Sequence, residues 1–115
     1  MKLIAALAAS IILSAPLALA QTEEHPEWVR NFIAGKEAQP VENPPGSLTK
    51  CLYKDKIVYY YPPVCCDQYS ELYDEAGNYL CAPDGGMTGD GDGKCSDFYD
   101  LKADCEVIWS DKRSS

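Results

Sequence analysis

The sequence predicts a small, disulfide-rich α+β fold: an N-terminal helix packed on an antiparallel sheet of two β-hairpins, with a Gly/Asp-rich loop. Three observations predict it. Six cysteines, an even number, fall in a chain of 115 residues. One stretch, TEEHPEWVRNFIAG (22–35), repeats apolar residues at helical spacing. Two β-rich stretches, each broken by a polar turn, precede PDGGMTGDGDGKCSD (83–97), through which no regular element can run.

In chain order, residues 1–20, MKLIAALAASIILSAPLALA, have the form of a cleaved signal peptide. Lys2 gives the positive start and Leu3 to Leu13 the apolar core, interrupted only by Ser10. Pro16 breaks the segment, and Ala18-Leu19-Ala20 is a small-x-small cleavage site. The stretch is too short to favour a permanent span. Gln21 follows it and the first cysteine is Cys51, so the pattern is not that of a lipoprotein. The expected location is the periplasm or the exterior, without membrane insertion after cleavage.

The expected mature chain divides into a helix and Pro-rich linker over 21–47 and a disulfide-stapled core over 48–113. Loss of Lys2 leaves nine basic against eighteen acidic residues, a net charge of −9. Such a balance argues against nucleic acid and anionic lipid as partners, since both demand clustered Lys and Arg. A domain this short buries only about 60–65% of its unfolded surface. Cross-links are therefore expected to supplement a thin core, in three disulfides drawn from Cys51, Cys65, Cys66, Cys81, Cys95 and Cys105.

In the helix, Pro26 suits the first helical position, and Glu23, Glu24 and Glu27 suit the positive end of the dipole. Trp28, Val29, Phe32 and Ile33 form one stripe, and Gly35 is the expected stop. KEAQPVENPPGS (36–47) reads as linker. Residues 48–61 read as a hairpin around Lys54-Asp55-Lys56, with IVYYY as its stronger strand. Tyr59, Tyr60 and Tyr61 must alternate faces, so at least one is expected near solvent. The second hairpin pairs Tyr69–Tyr73 with Tyr79–Ala82 across Asp74–Asn78, and Glu106–Trp109 suits a last short strand.

The residue patterns exclude several chemistries. The cysteine spacings lack the close pairs of a zinc site, and the one histidine, His25, stands apart. No two cysteines have the two-residue spacing of an exchange-active dithiol. The adjacent Cys65 and Cys66 are expected to point to opposite faces and bridge to different partners, which leaves twelve connectivities open. No motif joins His25 to a nucleophile, and no two carboxylates are singled out as an acid–base pair, so no catalysis is expected. Calcium is the one cofactor the composition suggests, with Asp84, Asp92 and Asp97 as its candidate ligands in the loop beside Asp90. An EF-hand frame begun at Asp90 fails at Lys94 and Cys95. The alternative use of these residues is Asx-turns in a wet loop.

The order VYYYPPVCCDQYSELYDEAGNYLCAPDGGMTGDGDGKCSDF, closing on VIWSDKR, resembles a family of small exported bacterial domains of unknown function. That family carries VYY, CCD, LYD, a glycine in the hairpin turn, C-x-PDGG, TG-x-GDG-x-C, DF and a late IW. The matching residues run from Val58-Tyr59-Tyr60 through Cys65-Cys66-Asp67 and Leu72-Tyr73-Asp74. They continue through Cys81, Pro83-Asp84-Gly85-Gly86, Thr88-Gly89 and Gly91-Asp92-Gly93 to Cys95, Asp97-Phe98 and Ile108-Trp109. An additional cysteine that such domains can carry in the helix is missing from PEWVRNFIAG, which leaves the partners of Cys51 and Cys105 open. The resemblance implies a fold and a location but no activity, and it favours Asp67, Asp84 and Asp92 over Asp90 for structural or ligand roles. The resulting expectation is a non-catalytic binding or structural module whose loop is pinned by Cys81 and Cys95. Its partner would be an unknown protein or envelope component. The alternatives are a calcium-stabilised module and a small protease inhibitor.

Overall fold

The computed structural model describes residues 25–65 and 67–114. The expected leader, Glu23, Glu24 and Cys66 lie outside them.

Helix α1 (Glu27–Glu37) starts one residue later than Pro26, which serves as its N-cap; the Pro26 carbonyl accepts from the amides of Val29 (3.0 Å) and Arg30 (3.2 Å). Gly35 does not stop it. The helix continues to Glu37 because its last carbonyls have a distant donor. The Arg113 guanidinium donates to the carbonyls of Lys36 (3.3 Å), Glu37 (3.3 Å) and Gln39 (2.9 Å), and Asp111 holds it in place at 2.7 Å. A cation at that end also meets the negative pole of the helix.

Strands β1 (Ser47–Tyr53) and β2 (Lys56–Tyr61) are joined by Lys54 and Asp55, with φ of 54° and 66°. Two consecutive positive φ values suit a two-residue hairpin turn whose twist matches the strands. Strands β3 (Glu71–Asp74) and β4 (Tyr79–Cys81) flank a turn built on Asp74, whose Oδ1 accepts from the amides of Ala76 (2.9 Å) and Asn78 (2.8 Å). Gly77 takes φ +91° there, under the Trp28 indole, where a Cβ would come within 2.8 Å of the ring. A single helical turn, α2 (Phe98–Leu101), leads into β5 (Ala103–Ser110).

All five strands form one antiparallel sheet, in the order β4-β3-β2-β1-β5. The two hairpins, β1–β2 and β3–β4, are joined in this sheet by pairing of β2 with β3, and the C-terminal strand adds to β1 on the far side as a fifth strand. β5 runs from Ala103, longer than the expected Glu106–Trp109.

The period of two along β1 and β2 sends side chains to two separate cores. On one face Val29, Leu48, Tyr59 and Tyr61 pack with Trp28, Phe32 and Ile33 of α1. Trp28 meets Tyr59 edge-on at 5.1 Å and Phe32 meets Tyr61 at 5.3 Å. On the other face Cys51, Val58, Leu72, Cys81, Cys95 and Phe98 form a second core, bordered by Tyr53 and Tyr60. The sheet is thus covered on one side by α1 and on the other by the Gly/Asp-rich segment with α2. Double coverage corrects the expectation that one of Tyr59–Tyr61 faces solvent: Tyr59 and Tyr61 are buried, and Tyr60 is half-buried under the loop.

Two disulfides join described cysteines, Cys51–Cys105 between β1 and β5, and Cys81–Cys95 across the loop. They use four of the six cysteines, so the expectation that Cys65 bridges to one of those four is corrected, although Cys65 is itself disulfide-bonded. The expectation for Cys66 lies outside the described residues.

Candidate functional site

The loop segment between β4 and α2 is held to the sheet by backbone clamps. Ser70, wholly buried, donates from its amide (3.1 Å) and its hydroxyl (3.0 Å) to the Asp84 carbonyl, and its Oγ accepts from the Asp84 amide (3.1 Å). Further on, the Asp92 amide donates to the Ala82 carbonyl (3.0 Å) while Asp92 Oδ2 accepts from the Ala82 amide (3.1 Å). Gly91 makes this approach possible: at φ +73°, a Cβ would fall 2.1 Å from the Ala82 oxygen. The Cys81–Cys95 bridge closes the segment, with its Cα atoms 6.2 Å apart.

Over this frame sits a network of tyrosines and carboxylates. Tyr60 Oη donates to Asp84, 2.9 Å from Oδ1, and Tyr99 Oη lies 2.7 Å from Tyr60 Oη and 3.1 Å from Asp84 Oδ2. Burial first, then the bonds to Tyr99 and Asp84, pushes the Tyr60 hydroxyl far above the usual phenol range. Phe98 stacks on Tyr60 at 5.6 Å and meets Tyr53 edge-on at 5.5 Å. Tyr53 Oη donates to Asp97 at 2.5 Å, and Lys54 Nζ lies 3.3 Å from the same carboxylate. The Tyr53 bond, and then Lys54, hold the Asp97 carboxyl below its usual range.

The three candidate calcium ligands are thus drawn to three different sets of partners: Asp84 to Tyr60 and Tyr99, Asp92 to the amides of Ala82 and Lys94, and Asp97 to Tyr53 and Lys54. Among the described residues no group of three or more His, Cys, Asp or Glu side chains could hold a metal ion. Asp67 and Asp90 are exposed. His25 stands before α1, where its carbonyl accepts from Arg30 at 2.6 Å. A depression of about 220 Å³, lined by Leu52, Lys54, Asp55, Leu101 and Ala103, is smaller than the roughly 300–1,000 Å³ of small-molecule sites. No described helix is long and apolar enough to cross a membrane.

Sequence reasoning missed Ser70 and the partnership of Tyr60 and Tyr99 with Asp84. Nothing local marks Ser70, whose role depends on a backbone fourteen residues away. Alternation along IVYYY did place Tyr60 opposite Tyr59 and Tyr61, but not what it would meet.

The outer surface of this region is apolar in places. Tyr69 (54% exposed), Tyr79 (53%) and Met87 (90%) stand out with Leu80 and Tyr99. The Tyr69 ring lies against Gly86, beside Met87, and the Tyr79 ring packs at 6.0 Å on Tyr73, whose hydroxyl donates to Glu71.

The chain belongs to the domain of unknown function family DUF6970, whose profile matches residues 34–111, from the last turn of α1 through β5. No curated protein and no solved structure matches it significantly.

Proposed function

We propose that the protein is an exported, non-catalytic binding module that meets its partner at the β4 end of the sheet and the adjoining loop. The observation that carries this reading is the placement of exposed apolar side chains. Four of the seven large ones among the described residues, Tyr69, Tyr79, Leu80 and Met87, fall on β4 or in the segments next to β3 and β4, whereas Tyr99 and Leu101 belong to α2 and Val107 to β5. Isolated surface hydrophobes are ordinary, but a contiguous apolar patch is a mark of interaction surfaces. The inward chemistry supports the non-catalytic part. The Asp84, Asp92 and Asp97 carboxylates bind groups of the chain itself, which suits a rigid scaffold. Disulfides fit an oxidising compartment.

Site-specific photocrosslinking tests the reading. A photoreactive residue at position 79 or 87, in the native envelope, is expected to give a discrete adduct, while one at Glu106 on the opposite sheet edge gives none. Equal labelling from all three positions, or none from any, contradicts it.

A further inference from the structure

The charge of the chain is segregated. Between Asp67 and Leu101 stand nine carboxylates and one lysine, Lys94; over 21–66 and 102–115 there are nine carboxylates and eight basic residues. The first segment therefore carries −8 of the net −9, and it is the segment that holds the exposed apolar side chains. Lys54 and Lys102 reach back over its α2 end, Lys54 to Asp97 and Lys102 to within 4.6 Å of the Tyr99 ring. The β4 end is different. Among the described residues no lysine or arginine lies over the rings of Tyr69 and Tyr79. Their surroundings are acidic: Glu71 is joined to Tyr73 under Tyr79, and burial, then the negative charges of Asp92 and Glu71, raise the Tyr79 hydroxyl above its usual range. Lys94 stands next to Asp92.

We propose that the Tyr69–Tyr79 surface docks a basic polypeptide segment, its Lys or Arg side chains resting on the two ring faces and their charges met by Glu71 and Asp92. The proposal rests on the binding-module reading and adds the chemistry of the partner. An aromatic face attracts a cation through its quadrupole, and flanking carboxylates add a longer-ranged pull. The chain already uses this contact elsewhere, with Lys36 Nζ 4.5 Å from the Tyr61 ring centroid. A neutral sugar would use the rings but not the charge, and an acidic partner would be repelled.

Hexalysine, titrated into the oxidised protein and followed by amide NMR, tests the proposal, with hexaglutamate and maltohexaose as controls. Saturable shifts are expected around Tyr69, Tyr79 and residues 84–92. The double variant Tyr69→Ala/Tyr79→Ala leaves the net charge unchanged and is expected to weaken binding roughly tenfold, the loss of two cation–π contacts. Tyr69→Phe/Tyr79→Phe keeps the rings and is expected to restore it, which guards against a folding defect in the alanine variant. Unchanged affinity in the alanine variant, shifts spread over all carboxylates, or maltohexaose binding in place of hexalysine each overturns the proposal. A crosslink at position 79 without hexalysine binding removes the basic partner and leaves the binding module standing; failure of both removes the two together.

Discussion

Tyr60 shows how much of the loop's attachment rests on single hydroxyls. Its removal in Tyr60→Phe leaves Asp84 with Tyr99 alone and is expected to cost about 1–2 kcal/mol in urea unfolding. Loss of less than a few tenths would mean that the Tyr60–Asp84 bond contributes nothing net. The carboxylates make a second prediction. Backbone amides, that of Asn78 foremost for Asp74 and that of Lys94 for Asp92, lower these two groups, as Tyr53 lowers Asp97. A depressed folded value means stability that is present above the unfolded value of about 4 and is lost as pH falls through the folded one. Tyr60, Tyr61 and Tyr73 are raised, chiefly by burial. Their contribution is complete below about pH 10 and is lost as pH rises through the folded values. Urea midpoints across pH should therefore form a plateau that falls at both ends; a midpoint still rising below about pH 4 contradicts the carboxylate assignments. Little of this could be read from the sequence. The abundance of Asp and Tyr is plain there, but Tyr53 meets Asp97 across 44 residues and Tyr60 meets Asp84 across 24, and only the fold sets those pairs.

Among the elements, α1 depends on its contact with the sheet. Trp28 packs on Tyr59 and Tyr73 and donates from its indole N–H to the Glu75 carbonyl at 2.8 Å. Trp28→Ala is expected to cost about 3–4 kcal/mol in urea unfolding, and a change below about 1 kcal/mol would mean that the helix is not docked there. The two disulfides should differ. Cys51–Cys105 spans 54 residues and Cys81–Cys95 spans 14. Loop-closure entropy then assigns about 4 kcal/mol to the first and about 3 to the second. The Cys51→Ala/Cys105→Ala variant should therefore melt below Cys81→Ala/Cys95→Ala; the reverse order would show that packing in the loop-side core outweighs chain entropy. The legible elements were those with strong local periods, the α1 stripe and IVYYY. The end of α1 was misread at Gly35 because its cap, Arg113, lies 77 residues from Lys36. Neither α2, one turn long, nor the full length of β5 had a period to read: ADCEVIWS mixes charged and apolar residues, most of them exposed, and pairs with β1 through two register shifts.

At the scale of the whole molecule, a five-stranded sheet is covered by one helix on one face and by a segment with almost no regular structure on the other. The α+β class was legible because cysteine number, length and a single amphipathic stripe constrain it. The two-sided arrangement was not, because glycine and aspartate do not advertise burial: the segment covers the sheet through Cys81, Cys95 and Phe98, with Asp84 and Asp97 turned onto tyrosines. Thin layers of this kind make the sulfur bridges the central element of the account. The two described disulfides together supply about 7 kcal/mol by chain entropy, comparable to the whole stability of a typical domain, about 5–15 kcal/mol. The most direct test is the melting midpoint of the oxidised protein against the same protein fully reduced under native conditions. The reduced form is expected to melt far lower or to be unfolded at room temperature, with α1 and the loop released together. An unchanged midpoint after complete reduction would contradict it.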